Sequence, residues 1–246
     1  MRETVVIDCF PSSVARYVPG HAIVAVDVIR ATTLAVTAIA EGRRCLAAAD
    51  VADAFALRAR LGDALLAGEL NGDTPDGFDM NNSPADLVLR SDDHRPLVML
   101  STSGSELMLA AGRSPNMALA ACFRNFSAVA RHLIMHPGPV AIIGAGSRNE
   151  FREEDQMCGA WVGDLLVKAG FRPDGARTSE IIERWRGVPA TACDAGNSVG
   201  YLRRSGQLRD RDFIVSHVDD LDLVCSIEGN EIVAATRGLP DPDALI

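Results

Sequence analysis

The sequence predicts an α/β fold, a three-layer α/β/α arrangement around a mixed, largely parallel sheet. Two observations carry that expectation. Short β-branched runs alternate with alanine- and leucine-rich segments of helical length, the pattern of strands joined by crossover helices. Strand-like runs also end in polar or glycine-bearing turns directly ahead of a helix, first at Asp27-Val28-Ile29-Arg30-Ala31-Thr32-Thr33. The chain has 246 residues, 48% of them hydrophobic, so a substantial core is available. We read residues 1–237 as a single α/β domain, with room for two closely packed lobes, and residues 238–246 as a loosely held tail.

The elements follow in chain order. Strands are expected at 3–9, 22–26, 44–47, 65–67, 97–100, 117–120, 139–143 and 212–216. Helices are expected at 32–41, 51–61, 83–90, 105–111, 125–135, 154–169, 179–185 and 195–204. Residues 224–227 and 231–234 form a hairpin around the turn Glu228-Gly229-Asn230. The helix at 83 starts with Ser83 as N-cap and Pro84 at its first position. The loop 68–84 is long and rich in Gly, Asp, Asn and Pro, a length that is usually either functional or disordered.

Composition narrows the function. The net charge of −9 disfavours nucleic acid and anionic membranes as partners. Lys168 is the only lysine, so Schiff-base and P-loop chemistry are nearly excluded. Anions must be held by arginine, backbone N–H or metal. No apolar run approaches the ~20 residues of a membrane helix, and the opening residues read as a strand rather than a signal peptide. The six cysteines lack zinc or redox spacing, which fits free, mostly buried thiols in a cytoplasmic protein.

Five segments carry chemistry. At the first, Asp27 either binds Mg²⁺ or attacks phosphorus, Arg30 clamps phosphoryl oxygens, and Thr32 and Thr33 donate at a helix N-terminus. A capped helix with a structural Asp–Arg pair explains the same residues. The second holds Glu69, Asp79, Asn81 and Asn82, candidates for metal or phosphate, or parts of a turn-rich loop. The third, Ser101-Thr102-Ser103-Gly104-Ser105, ends a strand in hydroxyls and a glycine that would hold an anion or simply cap a helix. The fourth, Gly144-Ala145-Gly146, is an incomplete dinucleotide motif, because Asn149 replaces the third glycine. We read it as backbone approaching a small anion. The fifth, Glu153-Glu154-Asp155, answers a helix dipole or completes a metal site. The five histidines show no triad spacing.

Taken together, these segments resemble the 2-phosphosulfolactate phosphatase family. The resemblance rests on Asp27 to Thr33, Gly68-Glu69, Gly77-Phe78-Asp79, Asn82-Ser83-Pro84, Asn125 with Ala128, and Gly146 with Phe151, Glu154, Asp155 and Gly159, in order along most of the chain. It implies a Mg²⁺-dependent phosphatase acting in coenzyme M biosynthesis on a small phosphorylated acid. Its catalytic residues would be Asp27, Arg30, Glu154 and Asp155. Substrate would meet Thr32, Thr33, Thr102, Ser103, Gly104, Asn125 and Gly146. Metal would meet Asp27, Glu69, Asp79 and Asp155. Both direct attack by water and an aspartyl-phosphate intermediate are compatible with this set. The chain departs from the family at Ser103, where an asparagine is usual, and at Leu70, where an arginine is frequent. Both changes bear on the organic end of the substrate. Rival readings are a phosphatase for another phospho acid, a phosphate-binding protein without hydrolysis, and a nucleotide-dependent oxidoreductase. The alanine-rich helices are compatible with a homodimer or with a core.

Overall fold

The computed structural model describes residues 3–136, 138–147 and 150–235. The expected tail at 238–246 lies outside them. The elements run β1 (Thr4–Cys9), a 3-10 turn (Pro11–Ser13), α1 (Val14–Tyr17), β2 (Ala22–Val26), α2 (Ala31–Ala40), β3 (Cys45–Ala47) and α3 (Val51–Leu61). Next come β4 (Leu65–Gly68), α4 (Pro84–Leu87), β5 (Leu97–Leu100), α5 (Gly104–Gly112), β6 (Ala118–Ala121), α6 (Phe126–Ile134) and β7 (Val140–Gly144). The chain continues with α7 (Glu153–Lys168), β8 (Arg172–Pro173), α8 (Ala176–Trp185), a 3-10 segment (Ala190–Ala195), α9 (Asn197–Arg204), α10 (Leu208–Ser216), β9 (Cys225–Glu228) and β10 (Glu231–Ala234).

Local chemistry sets several boundaries. Asp50 caps α3 by accepting the Asp53 N–H at 2.8 Å. Ser83 accepts the Asp86 N–H at 3.1 Å, and Pro84 opens α4. That helix is one turn long and stops short of the expected 90. One expected strand is overturned: residues 212–216 belong to α10. The run Phe213-Ile214-Val215 has strand-like composition. Burial instead falls on Asp210 and Ile214, four residues apart on one helical face.

The ten strands form one sheet in the order β4-β5-β3-β10-β9-β6-β2-β7-β1-β8. β4, β5 and β3 are mutually parallel, as are β6, β2, β7, β1 and β8. The hairpin β9–β10 lies between these blocks and pairs antiparallel with both. The two parallel blocks therefore run in opposite directions through the ladder.

The sheet must also curl. α5 touches β5, β3, β9, β6 and β2. A nine-residue helix is about 14 Å long, whereas a flat sheet from β5 to β2 would be about 24 Å wide. Twist and curl bring the carboxyl ends of β2, β4, β5 and β7 to one cleft. α2 and α5 fill the concave face, packed on Ile23, Ala25, Met99 and Ala120. α6, α7 and α8 cover the opposite face of the larger block, on Val24, Val26 and Ile142. α3 covers the smaller block on Leu46, Leu66 and Val98. All six cysteines are free and buried. No helix among the described residues is long and apolar enough to cross a membrane.

Candidate active site

The cleft encloses about 330 Å³, and Asp27, Arg30, Glu69, Ser103, Gly146 and Asp155 are among its walls. Asp27 follows β2 and sits at the floor. Its Oδ1 accepts the Ala31 N–H at 3.2 Å, at the start of α2. Its Oδ2 has no hydrogen-bond partner within the described protein and faces Gly104, the first residue of α5. A Cβ at position 104 would overlap both Asp27 Oδ2 and the Ala31 side chain, so glycine is what lets the carboxylate approach this helix end. Two helix N-termini thus converge on one carboxylate.

Asp155 comes from the first turn of α7. Its Oδ1 accepts the Val28 N–H at 2.8 Å, and its Oδ2 the Gly146 N–H at 3.4 Å. Gly146 has φ 61°, and a side chain there would run into Phe10. Glu154, one residue earlier, is 1% exposed, and neither of its carboxylate oxygens has a partner among the described residues.

Burial raises the pKa of all three acids, and neighbouring carboxylates add to it. Asp27 is pushed up to about 7 by burial, then by Glu69 and Glu154, with the Ala31 N–H and Arg30 opposing. Asp155 is raised well above the usual carboxylate range by burial and by the charges of Asp27 and Glu154. Glu154 is raised by burial, which the nearby Ser198 only partly offsets.

Arg30 is 4% exposed and held by residues distant in sequence. Its guanidinium donates to Asp210 at 2.5 Å, to Asn81 at 2.5 Å, and to Gln207. Asp210 also accepts Ser83 Oγ at 2.5 Å and the Ala85 N–H at 3.2 Å. Sequence reasoning missed Asp210 and Gln207, because no local signal links α10 to the β2–α2 turn. Asn82 is buried on the cleft wall, with its Oδ1 unpartnered among the described residues.

Several expected site residues have other work. Thr32 and Thr33 are buried away from the cleft. The Thr32 hydroxyl serves Asp27 and Ala121 backbone groups, and the Thr33 hydroxyl donates to Val28 O at 2.7 Å. Asn125 is fully buried; its side chain accepts from Cys122 N–H and donates to Ala120 O and Leu223 O. Asp79 binds Arg58 at 2.5 Å and the Leu66 N–H at 2.8 Å, and it does not line the cleft. These four residues lock loops to strand ends.

Glu69 does line the cleft, but its oxygens accept four hydrogen bonds. The donors are Ser101 Oγ, the Thr102 N–H, Thr102 Oγ1 and the Gly72 N–H, at 2.7–3.0 Å. It ties the end of β4 to the end of β5. Thr102 lines the cleft too, with its hydroxyl engaged by Glu69 and the Asn71 N–H. Ser103 and Gly146 lie open to it. Tyr201, Arg152 and Arg204 also line the cleft and were not singled out from sequence, since arginine is abundant in this chain.

No three acidic, histidine or cysteine side chains among the described residues form a ready-made metal cage. The donor set nonetheless fits Mg²⁺. Magnesium needs only one or two carboxylates, keeping water and phosphate for its other positions. Asp27 Oδ2 and both carboxylate oxygens of Glu154 accept no hydrogen bond among the described residues, as oxygens free to meet a hard cation would.

A family model described as 2-phosphosulpholactate phosphatase matches residues 10–230. A probable 2-phosphosulfolactate phosphatase of Deinococcus radiodurans is 33% identical over 211 residues, covering 84% of this chain and 86% of the relative. One from Pseudothermotoga lettingae is 36% identical over 168 residues, 68% of this chain and 70% of its own. One from Clostridium perfringens is 25% identical over 228 residues, covering 89% and 91%.

Proposed function

The chain belongs to the 2-phosphosulpholactate phosphatase family of phosphoric monoester hydrolases, and from that premise we propose its substrate and cofactor. The substrate is a small phosphorylated acid, 2-phospho-3-sulfolactate, hydrolysed to 3-sulfolactate and phosphate with Mg²⁺. On this reading the product serves coenzyme M biosynthesis. The observation that carries the proposal is the floor of the cleft, where Asp27 presents an unpartnered Oδ2 between the N-termini of α2 and α5.

The phosphoryl group would sit over that floor, with helix N-termini and the Ser103 hydroxyl facing its oxygens. Asp27 Oδ2 is placed to take the proton of an attacking water, and burial keeps that carboxyl basic enough for the task. Arg30 faces the cleft from a fixed position, since Asp210, Asn81 and Gln207 hold its fork. Asp155, fixed by two backbone N–H groups, and Glu154 behind it would hold Mg²⁺. When bound, that ion supplies the positive charge that offsets phosphoryl oxygens.

Phosphate release tests the reading. The panel is 2-phospho-3-sulfolactate, 2-phospholactate, phosphoglycolate and an aryl phosphate, each with Mg²⁺ or with EDTA. Metal-dependent turnover should favour the sulfonate, and preference for another phospho acid reassigns the substrate. Equal rates in EDTA remove Mg²⁺ from the reading. Asp27→Ala should lower kcat by about 10²–10⁴-fold with its circular dichroism unchanged. Full activity in that variant removes Asp27 from the chemistry.

A further inference from the structure

We propose that Arg204, with Arg152 beside the same cleft, forms a separate subsite for an acidic group of the substrate other than its phosphoryl group, a sulfonate or carboxylate. This deepens the reading above and rests on it. 2-Phospho-3-sulfolactate carries a carboxylate and a sulfonate besides its phosphoryl group, and the cleft must hold these acidic groups as well as the phosphoryl end. The phosphoryl end is accounted for by the floor around Asp27. Among the described residues, three arginines line the cleft: Arg30, Arg152 and Arg204.

Their states of pairing differ. Arg30 is neutralised by buried Asp210 at 2.5 Å. Arg152 makes a 3.3 Å contact with the exposed carboxylate of Glu150 and donates to Ser147 O at 3.3 Å. Such a pair at a cleft rim is weak and exchangeable. Arg204 makes no hydrogen bond or ion pair among the described residues and lines the cleft from the last turn of α9. It is a full, uncommitted positive charge beside a floor crowded with carboxyl groups.

Its placement is built into the helix. Asn197, Tyr201 and Arg204 recur at helical spacing and all line the cleft, so one face of α9 is a cleft wall. Long helical side chains lean toward the helix N-terminus. Arg204 does so over Gly200, where a Cβ would come within 3.3 Å of its Nη1. Tyr201 anchors the wall, donating to Gly72 O at 2.7 Å across the cleft. Arg204 is exposed at the cleft rim, and its guanidinium lies along this helix face, open to a ligand. A planar fork of this kind matches a sulfonate or carboxylate, whose oxygens accept parallel hydrogen bonds.

The test compares two phosphate esters and one product anion in wild type, Arg204→Gln and Arg204→Lys. With 2-phospho-3-sulfolactate, Arg204→Gln should raise KM about 10- to 100-fold at nearly unchanged kcat, as loss of a charge-assisted hydrogen bond does. With an aryl phosphate, which lacks a second acid, kcat/KM should stay within about twofold. Arg204→Lys should recover part of the loss. Calorimetric binding of 3-sulfolactate should weaken in Arg204→Gln by a similar factor. Equal losses on both esters would mean a structural role and overturn the subsite. Unchanged 3-sulfolactate binding overturns it too, with the phosphatase reading intact. A wild type that neither hydrolyses nor binds sulfonated acids overturns the substrate reading and this subsite with it, whereas aryl phosphate turnover reports separately on the hydrolase.

Discussion

At the scale of single residues, the site is governed by crowding of negative charge. The folded pKa of Asp27 is about 7, above its ordinary value. The folded state therefore holds a proton that the unfolded chain releases. That contribution to stability is complete below the unfolded pKa of ~3.9 and is lost as pH rises through about 7. Metal-free protein should lose thermal stability between pH 5 and about 8 by this route, and Mg²⁺ should raise Tm more at the upper end. Asp27→Asn removes the titrating group. Its Tm without metal should exceed that of wild type near pH 8 by roughly 2–4 °C, the shift of about 1 kcal/mol in a chain of this size. Scanning calorimetry with and without Mg²⁺ reads both effects, and parallel Tm curves for variant and wild type would sink the argument. Gly104 gives a second case. Gly104→Ala puts a methyl into Asp27 and Ala31, so it should cost about 1–3 kcal/mol by overpacking and abolish turnover. Denaturant midpoints and phosphate release measure the two losses.

At the scale of elements, α9 and α10 close the site. α10 supplies Asp210 and stands next to Gln207, the acceptors that fix Arg30 after β2. Both partners of the Arg30–Asp210 pair are nearly inaccessible, at 3% and 2% side-chain exposure. Replacing both by apolar groups can be neutral, but removing one leaves a buried charge unanswered. Asp210→Ala should therefore destabilise by about 3–5 kcal/mol and reduce kcat, although residue 210 does not line the cleft. Urea unfolding with an unchanged m value checks the first claim. A loss below about 1 kcal/mol would show that water reaches Arg30.

The whole molecule depends on its last strands. β9 and β10 lie in the middle of the sheet, where they join two parallel blocks that have no other ladder contact among the described strands. The Gly229 turn docks on α5, donating to Gly112 O at 3.1 Å, and a Cβ at 112 would overlap the Gly229 carbonyl. Deleting residues 224–235 would leave β3 and β6 with open edges and expose the core around Cys225, Ile227 and Ile232. Such a chain should show no cooperative unfolding transition and should aggregate. A cooperative melt by circular dichroism would mean that α2 and α5 hold the blocks together unaided.

The sequence by itself determined the α/β class, most of the strands, the hairpin and the family. These follow from periodicity and turn chemistry, which neighbours in the chain decide. It also singled out Asp27, Arg30, Asp155 and Gly146, which the structure brings to one cleft, because a strand end beside a helix start is a local pattern. Tertiary structure decided the rest. Thr32, Thr33 and Asn125 sit beside the turn after β2, yet their polar atoms are spent on buried backbone groups that would otherwise go unsatisfied. Asp79 looked equivalent to Glu69 and instead faces Arg58. Residues 212–216 looked like a strand, but the face they bury is helical. Arg204 reaches the cleft, and Asp210 reaches Arg30, only because the chain returns to this region some 180 residues after Arg30. Hydrogen-bond saturation and charge pairing are properties of who meets whom in space, and the curl of the sheet sets those meetings.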